Sequence, residues 1–361
     1  MTLQQRINAF SKLGTFLSQF SRTNIAQKEG VAHNDLFFDG MKHQFKLARE
    51  NNGWFTQENI LFALEGWAAL LTEEKLSEWM SGYNDAFAKA QSQKTFAIIM
   101  AGNIPLVGFH DFLCVLIAGQ KVAIKQSSND KHLLPYLAKY LEYVAPDFKG
   151  RISFTEEKLP AHDAVIATGS DNTARYFEYY FGKKPNIIRK NRNSVAILTG
   201  DESEEQLKAL GEDIFRYYGL GCRNVSKLLV PEGYNFDAFF KAIYSWSDVM
   251  NDAKYANNYD YNKAVYLMSL FDLLENGFLM LKEDESYGSP IATLFYEKYE
   301  SKESLDLKLS QDADKIQCIV GDDKNLQGFT SLIPFGKTQK PNLQDYADGV
   351  DTIAFLVSIL P

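Results

Sequence analysis

The chain of 361 residues is 45% hydrophobic and 23% charged, with a formal net charge of −8. Such a composition describes a soluble, globular chain long enough for two ordinary domains. The acidic balance argues against a nucleic-acid surface, because neutralising phosphates takes clustered Lys and Arg; a local seat for a small anion stays open. Three dispersed cysteines, Cys114, Cys222 and Cys318, show no CxxC or Cys/His spacing, which argues against structural zinc and suits a reducing compartment. The start, "MTLQQRINAF", lacks the basic flank, apolar stretch and small-residue cleavage site of a signal peptide, and no apolar run reaches the ~18 residues of a membrane span. A cytoplasmic protein with no membrane span is the expectation.

From residue 2 to about residue 90 the apolar positions recur at helical spacing, as in "INAFSKLGTFL" and "NILFALEGWAALL", which predicts a helical leader. The pattern then changes. "TFAIIMAG" (95–102) is a buried-strand run, "GFHDFLCVLIAG" (108–119) has helix period, and "KVAIK" (121–125) is a second strand. Strand, helix and strand at this spacing make a βαβ unit and therefore a parallel sheet. The alternation continues with a helix near 131–144, a strand at "DAVIAT" (163–168), a helix at 171–181, and strands at "NIIR" and "SVAIL". A helix with an acidic first turn, "DESEEQLKALGEDIFRYYG", follows from Asp201, and "SKLLV" is a strand beyond Cys222. Two α/β lobes are implied, dividing near 195–200. The closing stretch is rich in turn formers and is read as crossing back over the first lobe.

Cys222 stands in "YYGLGCRNVSKLLVPEG", between a helix-like and a strand-like segment. A free cysteine is often only a small buried hydrophobe. Here Gly219 and Gly221 allow close backbone approach, while Arg223 and Asn224 offer a cation and a donor near the sulfur. Cys114 and Cys318 lie in apolar runs and take the core reading. The five histidines show no Cys/His signature. In "VIATGSDNTAR", Gly169 and Ser170 are either a simple helix N-cap or a seat for pyrophosphate at a helix start. Lys125, closing the "KVAIK" strand, is either a solvated lysine or one that reaches a nucleotide. The basic run of Lys183, Lys184, Arg189, Lys190 and Arg192 is either a solvated face or a phosphate contact.

In this order the segments resemble the aldehyde dehydrogenase superfamily and, within it, the LuxC-like fatty acyl-CoA reductases. "AGNIPLVGFHDFLCVLIAGQKVAIKQSS" is similar to the stretch from an oxyanion-hole asparagine to the cofactor strand, which implies an oxyanion role for Asn103 and cofactor contacts for Lys125, Ser127 and Ser128. "ATGSDNTAR" resembles the "TGS" turn, placing Gly169 and Ser170 at the pyrophosphate. The cysteine segment resembles "GQxCxxxxRxxV", making Cys222 the acyl-accepting nucleophile, and "ESYGSP" resembles "ExFGP", suggesting Glu285 on the nicotinamide ribose. "GKTQKPNLQDYADGVDTIAFL" is similar to the LuxC-like C-terminal signature. The implied fold is α/β and aldehyde dehydrogenase-like: helical leader and Rossmann-type NADP-binding lobe over 1–197, catalytic lobe over 198–333, and a segment over 334–361 returning to the first lobe or to a neighbouring subunit.

Two departures from the superfamily sharpen the functional expectation. Hydrolytic members carry a water-activating glutamate in "ELGGKSP"; the matching "RKNRNSV" has Arg189 at that place, 33 residues before Cys222. A thioester acyl-enzyme without that base persists for reduction or thiol exchange. Where NAD-preferring relatives have the "KPSE" glutamate, this chain has Ser128, which favours NADPH. The expectation is thus NADPH-dependent reduction of an acyl-CoA, with a long chain favoured, to an aldehyde with release of CoA. The rivals are an acyl-phosphate reductase of the same superfamily and a non-catalytic acyl-accepting subunit. The resemblance also implies a homo-oligomer, dimer or tetramer, with a heteromeric partner as in the bioluminescence reductase complex as a further option.

Overall fold

The computed structural model describes residues 1–83, 93–326, 328–329 and 331–360. The chain forms two compact units, Met1–Lys190 with Asn342–Pro361, and Asn191–Pro341. The second unit therefore includes the "SVAIL" strand, and the closing stretch is shared between the two.

In the first unit the leader forms α1 (Leu3–Leu17), α2 (Asn34–Asn51), α3 (Gln57–Leu70) and α4 (Glu73–Ser81); the last part of the predicted leader, 84–90, lies outside the described residues. Threonines start three of these helices. Thr2, Thr56 and Thr72 each accept the N3 backbone N–H, satisfying a donor that the helix itself leaves unpaired. Helix α1 buries Phe10, Leu13, Phe16 and Leu17 along one stripe.

That stripe packs against the helices of a five-stranded parallel sheet. The strands are β1 (Thr95–Ile99), β2 (Lys121–Lys125), β3 (Ile152–Thr155), β4 (Ala164–Thr168) and β5 (Asn186–Arg189), in the order β3-β2-β1-β4-β5. Between them run α5 (Phe109–Ile117), α6 (Leu133–Val144) and α7 (Asp171–Phe181). Phe16 of α1 stacks on Tyr140 of α6 with ring centroids 4.2 Å apart. The C-terminal helix, Thr352–Ser358, buries Ile353 and Leu356 in the same core. It is pinned to the leader by Tyr83, whose hydroxyl donates to Asp351 at 2.7 Å, and by Trp79, which donates to the Tyr346 hydroxyl at 2.8 Å. Strand β3 was not read from the sequence; its four residues are half-buried or exposed, too short and too mixed a pattern to stand out.

The second unit is a seven-stranded sheet. Strand β6 (Asn193–Ile197) leads into α8 (Glu204–Phe215), then β7 (Val225–Pro231), α9 (Asp237–Ala242), α10 (Ala253–Met268), β8 (Leu273–Glu275), β9 (Met280–Glu283), β10 (Thr293–Tyr299), α11 (Lys302–Gln311), β11 (Ile316–Val320) and β12 (Leu332–Ile333). The order is β12-β11-β6-β7-β10-β9-β8, parallel throughout except for the antiparallel β8–β9 edge. Leu207, Leu210 and Ile214 of α8 cover one face with Phe239 and Phe278, and Leu305 and Leu309 of α11 cover the other. Among the described residues no helix is long and apolar enough to cross a membrane.

Candidate active site

Ligands of doubly wound sheets gather beyond the carboxyl ends of the strands, where the strand order reverses. In the first unit that point lies between β1 and β4. The loop after β1 carries half-buried Asn103; β2 ends on half-buried Lys125 and continues into Ser127 and exposed Ser128; β4 leads into Gly169 and Ser170. The first unit thus brings all six of these predicted residues to one edge.

Short-range contacts hold these turns. Gly102 lies so close to the β2 turn that a Cβ there would come within 2.5 Å of Ser127 Oγ. From the end of α2, the Asn51 amide donates to the Ser128 carbonyl at 2.8 Å, and the Asn52 amide donates to that of Gly102 at 3.3 Å. Asp130 links the two turns. Its Oδ2 accepts the N–H of Leu106 at 3.2 Å, and its own N–H donates to the Ser127 carbonyl at 3.1 Å. Leu106 holds φ +58, an unusual backbone for a branched residue. Burial pushes the Asp130 carboxyl up to about 7, and the single N–H from Leu106 only partly opposes it. Gly169 is closely packed, since a Cβ there would meet side-chain atoms of Thr173 and Phe177 at 3.0 Å. Ser170 is the N-cap of α7 and accepts the Thr173 N–H at 3.4 Å, so the cap reading of this turn holds.

Arg189 is not part of a basic surface. It is buried at the end of β5 in a two-pronged pair with Asp111 of α5, at 2.5 and 2.9 Å, and reaches Thr352 Oγ1 at 3.4 Å. Burial opposes the guanidinium charge, but the charge and hydrogen bonds of Asp111 together more than offset it and raise the pKa. Others of the run also have local partners: Lys190 pairs with Glu178 at 3.0 Å and Lys184 donates to the His162 carbonyl at 2.6 Å.

In the second unit Cys222 is exposed and forms no disulfide, whereas Cys114 and Cys318 are buried and desolvation raises the pKa of both. All five histidines belong to the first unit, so Cys222 has none within its own. The approach to the cysteine is strained. Tyr217 (φ 54), Tyr218 (φ 57) and Gly219 (φ +76) are consecutive left-handed residues, a sequence only surrounding contacts can sustain. Side chains supply several of those contacts. Ser194 Oγ on β6 donates to the Cys222 carbonyl at 2.9 Å. Asn224, read from the sequence as a donor near the sulfur, turns its amide to the backbone instead: Nδ2 donates to the carbonyls of Arg216 (2.8 Å), Asp213 (3.0 Å) and Ile214 (3.3 Å), and Oδ1 accepts the Gly221 N–H at 2.8 Å. Arg223 Nη1 reaches Cys318 Sγ at 3.5 Å.

The loop carrying Glu285 is tied to the strand that follows Cys222. Ser226 Oγ donates to the Tyr287 carbonyl and Lys227 Nζ to the Glu285 carbonyl, both at 2.7 Å. Lys227 is fully buried on β7 and pairs with Glu297 of β10; burial lowers its pKa, against the opposing pull of Glu297. The Glu285 side chain itself is exposed. Sequence reading missed Asp213, Ser194 and Lys227. The one signal was a lysine at the arginine position of the "GQxCxxxxRxxV" pattern. Among the described residues no group of three or more His, Cys, Asp or Glu is arranged to hold a metal ion.

Three solved structures illustrate the fold. Aldehyde dehydrogenase 21 from Physcomitrella patens, in complex with the reaction product succinate, is 10% identical over 100% of this chain and 85% of that one, with a TM-score of 0.66. An NAD-dependent aldehyde dehydrogenase from Sinorhizobium meliloti is 14% identical over 92% and 73%, with a TM-score of 0.63. An indole-3-acetaldehyde dehydrogenase in complex with NAD+ is 14% identical over 84% and 69%, with a TM-score of 0.58. At these identities the likeness concerns the fold, which is that of the aldehyde dehydrogenases. A comparison with curated proteins finds no match. A model of the family acyl-CoA reductase (LuxC) matches residues 16–243, well over half of the chain, which therefore belongs to the LuxC acyl-CoA reductase family, oxidoreductases acting on aldehyde or acyl groups.

Proposed function

We propose that this chain reduces a long-chain acyl-CoA thioester to the aldehyde, with NADPH as reductant and a thioester on Cys222 as intermediate. The observation that carries the reading is the Cys222 thiol, exposed on a strained and heavily anchored loop while the other two cysteines are buried. The thiolate sulfur bonds to the acyl carbonyl carbon and the bond to CoA sulfur breaks, CoA leaving as its own thiolate. The Asn103 amide is assigned to the developing oxyanion, a donor of the kind worth about 10²-fold in rate. Arg189, at the place of the hydrolytic glutamate, is committed to Asp111, so this position offers no carboxylate to activate water.

The donor set at the first sheet's edge fits a phosphorylated cofactor: the Lys125 ammonium, the hydroxyls of Ser127 and Ser128, and the helix start behind Gly169 and Ser170. Neutral Ser128 spares a 2′-phosphate the repulsion of a carboxylate, which is why NADPH is preferred to NADH. Glu285 is assigned to the nicotinamide ribose. When bound, the nicotinamide supplies the two electrons of the reduction. The same reading carries a cytoplasmic location and a homo-oligomer, whose size light scattering measures.

The test is intact-protein mass spectrometry after incubation with a long-chain acyl-CoA, with and without NADPH, on wild type and Cys222→Ala. An acyl adduct that needs Cys222 and is released as aldehyde on adding NADPH is expected. No adduct across several chain lengths would overturn the reading, and an adduct formed only from an acyl phosphate would replace the substrate.

A further inference from the structure

The closing signature of the chain, "GKTQ", lies far from Cys222 in sequence, yet the second unit connects them through one helix. Asp213 on α8 is fully buried and takes three donors from this stretch: Oδ2 accepts the Gly336 N–H at 2.6 Å, and Oδ1 accepts the N–H and the hydroxyl of Thr338 at 3.0 and 2.8 Å. Gly336 (φ +76) is wedged against α8, where a Cβ would come 3.0 Å from that of Ala209. The carbonyl of the same Asp213 accepts from Asn224 Nδ2. Asn224 is also buried; besides the Ile214 carbonyl, its side chain bonds both ends of the left-handed turn, the Arg216 carbonyl and the Gly221 N–H.

We infer that Asn224 is the positioning residue of the nucleophile, setting the shape of the Cys222 loop, and that the Gly336–Thr338 strap holds Asn224 in register through Asp213. The physical reason is donor counting. Tyr217 and Tyr218, left-handed without being glycine, cost of order 1 kcal/mol each or more, and Asn224 helps to hold the turn by satisfying a carbonyl before it and an N–H after it. A side chain that closes both ends of the turn also fixes where the Cys222 backbone N–H and sulfur point. An Asn→Asp change at 224 would set a carboxylate against three carbonyls.

The inference rests on Cys222 being the acylated thiol, and its test separates the two ideas. Two rates are measured on the full chain at one pH: acylation of Cys222 by a long-chain acyl-CoA, which needs the loop in its shape, and alkylation by iodoacetamide, which needs only an accessible thiolate. Cys222→Ala supplies the background. For Asn224→Ala, acylation is expected to fall by about 10²-fold, the usual effect of a misplacement near 1 Å, with alkylation changed less than about threefold. Thr338→Val, which deletes only the hydroxyl donor, is expected to shift the same ratio less, by about three- to tenfold, and serves if Asn224→Ala does not fold. Acylation unchanged, or falling in step with alkylation, overturns the positioning role. Wild type that alkylates but never acylates sinks the proposed function and this inference together.

Discussion

The two units spend their buried polar groups in different places. In the first, the buried pair of Arg189 with Asp111 lies beneath the C-terminal helix, and the turns at the sheet's edge are held mainly by backbone contacts, caps and the two asparagines that end and cap α2. In the second, buried Asn224, Asp213, Ser194 and Lys227 all converge on the cysteine loop or on the Glu285 loop tied to the same strand. On the proposed function, the difference follows from what each edge would have to do. Gripping an anion takes backbone donors and small residues that let it approach; aiming a single sulfur takes a loop whose shape is over-determined.

The sharpest way to break the comparison is Asp111→Ala. It leaves the Arg189 guanidinium buried without its carboxylate, and urea unfolding should show a loss of about 3–5 kcal/mol. A loss below 1 kcal/mol would mean that this pair does not anchor the first unit. Asp130 is the exception in that unit, a buried carboxyl between two turns. Its folded-state pKa of about 7 lies above the unfolded value, so its contribution is full below about pH 4 and is lost as pH rises through 7. Over that window the wild type should lose about 4 kcal/mol relative to Asp130→Asn in parallel urea titrations; parallel curves would reject the shift.

Smaller effects test the assignment of roles. Asn103→Ala should lower kcat by about 10²-fold with KM for acyl-CoA little changed, as expected of a donor that acts on the oxyanion. A rise in KM with kcat preserved would make Asn103 a binding residue instead. Ser170→Ala should cost only about 1 kcal/mol, the worth of an N-cap. A loss several times larger would show that this edge depends on side chains as the cysteine loop does.

By itself the sequence determined the local elements with strong periodicity: the leader helices, the apolar strands β1, β2 and β4, the helix of residues 171–181, and the glycine-flanked turn that presents Cys222. These are legible because alternation, caps and turn residues act over a few neighbours. Tertiary structure alone decided the order of both sheets, the short strands β3, β8 and β12, and the partners of the buried polar groups. Arg189 read as part of a solvated basic face or as a phosphate contact until Asp111, 78 residues away, enclosed it. Asn224 read as a donor to the sulfur until the end of α8 claimed its amide, and Asp213 carried no signal at all before Thr338 came to it across 125 residues. Buried polar groups must be satisfied by whatever the fold brings near, and that choice is non-local.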